Sequence, residues 1–143
     1  MRPNPLLLLA GALVLAAAAA GAGVSWQPRP PAGPGRAQVV EVTAEAGMRF
    51  SGQIPGPPLR VRAGATVRLV LENRDTLAHD VWVVQAQERP PYLEPAFPGA
   101  KTRVLAPGER EEIQFTPTRP GRYRYVCTVP GHDTTMYGEF VVE

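Results

Sequence analysis

Cysteine is almost absent from these 143 residues: Cys127 is the only one. That excludes an internal disulfide framework and any metal centre that draws two thiolates from one loop. Histidine is nearly as scarce, with His79 and His132 alone. A second metal centre built on histidine would find no ligand left. No His-rich or Met-rich tract occurs, which disfavours a metal-delivery module with exposed, exchangeable ligands. Charge of one sign is lacking as well. Fifteen basic and 13 acidic residues leave a net +2, scattered along the chain. There is no basic stripe of the kind nucleic acid requires. Beyond the N-terminal region no helical period is found.

Proline and glycine are abundant, at 17 and 14 residues, and argue for many turns rather than a helical bundle. One long apolar run stands at the N-terminus. Leu6 to Val24 is 19 residues without a polar side chain, preceded by Arg2 and followed by Trp26. Residues 1–25 therefore read as a signal peptide or an N-terminal membrane anchor, since the run satisfies both patterns. Either form places the rest outside the cytoplasm, in the periplasm or on the outer face of the cell membrane. Residues 26–37 are a Pro/Gly-rich linker whose prolines favour an extended, semi-rigid spacer. Residues 38–143 are then one domain, long enough to bury a single core.

Within that domain short apolar-alternating runs are separated by turn residues. Strands are expected at Val39–Ala46, Leu59–Ala63, Thr66–Asn73, His79–Gln85, Thr102–Leu105, Glu111–Thr116, Arg122–Cys127 and Met136–Val142. Asn73-Arg74-Asp75 reads as a turn, and Glu88–Ala100 as a long loop with four prolines. The fold class is all-β, an antiparallel sandwich of about seven or eight strands.

The scarce donor residues are clustered. Cys127, His132 and Met136 lie within ten residues, at a strand end and on the loop after it. The Cys-x4-His-x3-Met spacing lets one loop wrap three ligands around a point, with Pro130-Gly131 supplying the turn. His79 comes from a neighbouring strand. One thiolate, two imidazoles and a thioether form the donor set of a blue copper site. Taken singly, each has an ordinary explanation: a buried free cysteine, a structural histidine, a core methionine. Their joint spacing favours ligation. Met48, which has no such context, reads as packing. Backbone N–H groups near Asp80 and Val129 are candidates to donate to the thiolate, because Pro130 has none.

The run Tyr125-Val126-Cys127-Thr128-Val129-Pro130-Gly131-His132, followed by Met136-Tyr137-Gly138, resembles the copper loop of the cupredoxins. Its spacing is similar to that of azurin and the auracyanins and differs from plastocyanin. Ile54-Pro55-Gly56-Pro57 and Val61-Arg62-Ala63-Gly64 resemble the start of many such domains. The resemblance implies a cupredoxin-like Greek-key β-sandwich. It also implies one type 1 copper ion held by His79, Cys127, His132 and Met136, and electron transfer without substrate chemistry. Two positions depart from the family pattern. Asp80 stands where many members carry Asn, and Ala78 stands where azurin has Gly.

The expected function is one-electron transfer, not catalysis. Expected partners are redox proteins such as cytochromes or membrane oxidoreductase complexes, and the chain is expected to be a monomer that does not bind nucleic acid. The alternative is a copper-binding or delivery protein without a carrier role. Apolar surface around Pro130, Gly131 and the edge of His132 is the expected contact, with Asp133 beside it.

Overall fold

Among the described residues, eight strands form two four-stranded sheets. They are β1 (Gln38–Glu45), β2 (Arg49–Phe50), β3 (Gly56–Val61), β4 (Val67–Asn73), β5 (Trp82–Gln85), β6 (Arg110–Phe115), β7 (Gly121–Val126) and β8 (Tyr137–Val142). The computed structural model describes residues 35–143. The signal or anchor expected at 1–25 and the linker as far as residue 34 lie outside the described residues. One sheet has the order β2-β1-β4-β6 and the other β3-β8-β7-β5.

The alternation seen in the sequence sets the inner faces. Along β4, Val67, Leu69 and Leu71 are fully buried. Val42, Ala44 and Phe50 join them from the same sheet, and Val83, Tyr125, Phe140 and Val142 face them from the other. Each large apolar side chain buried this way contributes roughly 1.5–3 kcal/mol. Tyr125 lies at the centre of this layer. Its hydroxyl donates to the Pro57 carbonyl at 2.6 Å. Gly56 and Gly138 leave room for its ring, since a Cβ at either position would collide with it.

Three expectations need correction. The sheets are mixed, not purely antiparallel: β1 pairs with β4 and β3 with β8 in parallel. In each case the chain has crossed to the opposite sheet in between, so it returns in the same direction. Thr102–Leu105 is not a ladder strand. It meets the residues before β5 through an isolated bridge at His79–Leu105 and a Thr102 N–H bond to the Val81 carbonyl at 3.0 Å, and Lys101 just ahead of it bridges to Trp82. The Val81 N–H goes to the Thr102 hydroxyl and not to a backbone carbonyl, which interrupts the ladder. β3 begins at Gly56, three residues before the expected start at Leu59. β3 is an edge strand whose pairing with β8 is irregular between Gly56 and Leu59, so neither Pro57 nor Pro58 is needed as a ladder donor.

The long loop after β5 contains no helix. It buries Phe97 and Ala100 in the core and bonds to Val83 through Ala96 N–H and Ala100 C=O. The edge of β5 is thereby covered.

Candidate metal centre

β5 and β7 are antiparallel neighbours, with Trp82 opposite Val126. The residues just before β5 and just after β7 therefore emerge at the same end of the sandwich. His79 and Asp80 lie on the first segment, Cys127 and Thr128 on the second. His79 precedes the strand instead of opening it, and its backbone is held by two bonds with Leu105, at 3.1 and 2.7 Å. The β7–β8 connection carries the other donors. Its mouth is closed by Cys127 N–H to the Met136 carbonyl at 3.0 Å. Gly131, with φ of +83°, adopts the left-handed turn that the sequence called for, and starts the 3-10 turn His132–Thr134.

Three of the four expected donors converge. Cys127 Sγ is 3.8 Å from His79 Nδ1 and 3.8 Å from His132 Nδ1, and the two Nδ1 atoms are 3.1 Å apart. A point equidistant from these three atoms lies about 2.1 Å from each, within the usual range of metal bonds to nitrogen and sulfur. The residues present therefore fit a copper ion in a trigonal N₂S plane. Met136 is fully buried at the end of the same loop, and its N–H donates to the His132 carbonyl at 2.8 Å. His79 and Cys127 are fully buried, whereas His132 is half-buried.

Burial pushes the Cys127 thiol up to about 12, while N–H groups of Asp80 and Val129 donate to its sulfur and oppose that rise. These are the two donors expected from the sequence. Burial also lowers the pKa of His132, and the adjacent His79 adds to the effect. His132 is thus disposed to bind in the neutral form that a metal requires.

Asp80 links the two ligand segments. Its carboxylate accepts from Thr128 N–H at 2.6 Å and from the Thr128 hydroxyl. A carboxylate can replace an amide here because Thr128 supplies both donors. Asp133 accepts from the Tyr92 hydroxyl at 3.0 Å, tying the long loop to the ligand loop. Met48 packs against the core, and its carbonyl accepts from Thr135 Oγ1 at 2.9 Å.

Sequence reasoning missed Asp75. It is 7% exposed, and its Oδ2 lies 2.8 Å from His79 Nε2. Burial alone would raise its pKa, but the bonds from His79 and Thr76 N–H outweigh that and hold the carboxyl below its ordinary value. The unassigned outer nitrogen of His79 was the available signal, because a buried imidazole needs a partner there.

A two-sheet sandwich with a His-Cys-His cluster at one end defines a protein with a single soft-metal centre. The cupredoxin-like domain model matches residues 6–142, and the chain belongs to the cupredoxin-like family. It is 30% identical over 119 residues to the copper-resistant cuproprotein CopI of Rubrivivax gelatinosus, covering 76% of this chain and 71% of that protein. The crystal structure of reduced auracyanin from Roseiflexus castenholzii superposes with a TM-score of 0.62 at 25% identity, covering 76% and 99% of the two chains. The copper-containing nitrite reductase of Cereibacter sphaeroides is 33% identical over 86 residues, which cover 59% of this chain but only 21% of the enzyme. This is a blue copper protein by family and by site.

Proposed function

We propose that the chain carries single electrons between exported or membrane-bound redox partners. The observation that supports this best is the His79–Cys127–His132 triangle at one end of the sandwich. When bound, copper would supply a one-electron couple. The chain supplies a rigid site: Leu105 holds the His79 backbone, Asp80 and Thr128 clasp the two segments, and Met136 closes the loop. Met136 would hold the ion with these three through its thioether, a weak donor. A site that does not rearrange keeps the reorganisation on electron transfer small.

His132 is the more exposed of the two histidines and is the natural side for a partner to approach. A groove of about 470 Å³ beside it is walled by Trp82, Tyr92, Thr128 and three prolines, one of them Pro130. Carrier interfaces are small, typically under about 1,200 Å². An extracytoplasmic location, with or without membrane attachment, agrees with the apolar N-terminal run. The chain's two histidines both converge on this triangle, so a catalytic second copper would need ligands from another chain.

The likeness to CopI favours a second reading, copper binding or delivery without electron transfer. Visible absorption of the copper-loaded, oxidised protein separates the two. A carrier is expected to show an intense thiolate-to-copper band that bleaches on reduction and returns on oxidation. A colourless protein that holds only copper(I) would overturn the carrier reading.

A further inference from the structure

His79 is held through a buried polar hub that connects the two sheets. β4 ends at Asn73, which is fully buried. Asn73 Nδ2 donates to the Leu77 carbonyl at 2.7 Å and to the Leu105 carbonyl at 2.9 Å. Asn73 Oδ1 accepts from Asp75 N–H at 3.0 Å. Asp75 Oδ1 in turn accepts from Thr76 N–H at 2.6 Å, which leaves Oδ2 directed at His79 Nε2. Every joint of this chain is a hydrogen bond within the protein, and Asn73, Asp75 and His79 are all buried.

A carboxylate accepts, so His79 Nε2 must donate. Nδ1 then carries the lone pair, and Nδ1 is the atom that faces Cys127 Sγ and His132 Nδ1. The hub therefore selects the metal-ready tautomer before any ion arrives. It also places a fixed negative charge against one ligand, in a low-dielectric setting where such a charge acts strongly. A nearby anion stabilises a doubly charged ion more than a singly charged one.

We propose that Asp75 is a positioning residue that locks His79 as the Nε2–H tautomer and biases the centre toward the more highly charged oxidation state. This rests on the copper reading above, but its first test does not. Nitrogen-15 NMR of the metal-free protein is expected to show His79 protonated on Nε2 and bare on Nδ1. An Nδ1–H tautomer, or a mixture, would overturn the proposal even if no variant could be prepared.

The second test compares copper(II) and copper(I) affinities of the wild type and Asp75→Asn. Carboxylate partners of ligand histidines are worth about 10–100-fold in metal affinity. Copper(II) affinity is expected to fall about tenfold more than copper(I) affinity, equivalent to a rise in potential of about 59 mV for one electron. Asp75→Glu keeps the carboxylate and is expected to restore the ratio. An equal loss of both affinities would reveal a merely structural residue and overturn the charge argument. A colourless wild type would instead sink the carrier reading and leave the tautomer result intact.

Discussion

A thiol that must stay buried behaves as an alkaline-sensitive element. In the metal-free fold burial holds Cys127 up at about 12, against an ordinary value of 9.0. The folded state therefore retains a proton that the unfolded chain releases between these values. By linkage, the stability from this group is fully present below pH 9 and is lost as pH rises toward 12. Urea titrations of the metal-free protein at pH 8, 9 and 10 are expected to show falling stability, with a slope approaching about 1.4 kcal/mol per pH unit. Cys127→Ala is expected to flatten that slope. Tyr125, also raised by burial, enters only above its own ordinary value of 10.0. An equal slope in both proteins would show that the thiol is not the responsive group. At this scale the donors were legible because each type is scarce: with one cysteine and two histidines, spacing alone picks them out. Asp75 was not legible. Asn-Arg-Asp is ordinary turn chemistry, and its meeting with His79 four residues on depends on a backbone path that no periodicity records.

Strands with clear alternation could be read directly. β4 and β7 follow their expected spans closely because inward Val, Leu and Tyr residues alternate with Arg and Glu. Pairing direction could not be read, since parallel and antiparallel partners present the same alternation of faces. Nor could the start of β3, where Pro57 and Pro58 signal a break that an edge strand tolerates. The spacing between β3, β7 and β8 depends on Tyr125 and the glycines beside it. Gly138→Ala would drive a methyl into the Tyr125 ring. A fixed ladder on both sides of β8 leaves little room to relax. The expected cost is about 1–3 kcal/mol, as for other overpacked cores, read as a lower melting temperature of the metal-free protein. An unchanged melting temperature would mean that the ring moves freely aside.

The whole sandwich is organised around a core in which the cluster is one end, not the centre. Phe50, Leu69, Leu71, Tyr125 and Phe140 are buried without reference to any ion. Removing copper, or replacing Cys127 with Ser, is therefore expected to leave the far-UV sheet signal in place. The visible band should vanish in the same samples. Copper should still raise the melting temperature by mass action, by the equivalent of about 2.7 kcal/mol when its free concentration is a hundredfold above Kd. Collapse of the sheet signal without metal would contradict a preformed frame.

The bond that shuts the mouth of the β7–β8 connection has a consequence for how such chains diversify. Cys127 and Met136 are laced together by their main chains, so the eight residues between them form a loop closed at its base. Insertions or deletions there would reshape the docking rim and retune the ion, while the neighbouring strands keep their register. The electrochemistry and the scaffold can therefore evolve in part independently, meeting at that rung and at the ties made by Thr128, Asp133 and Thr135.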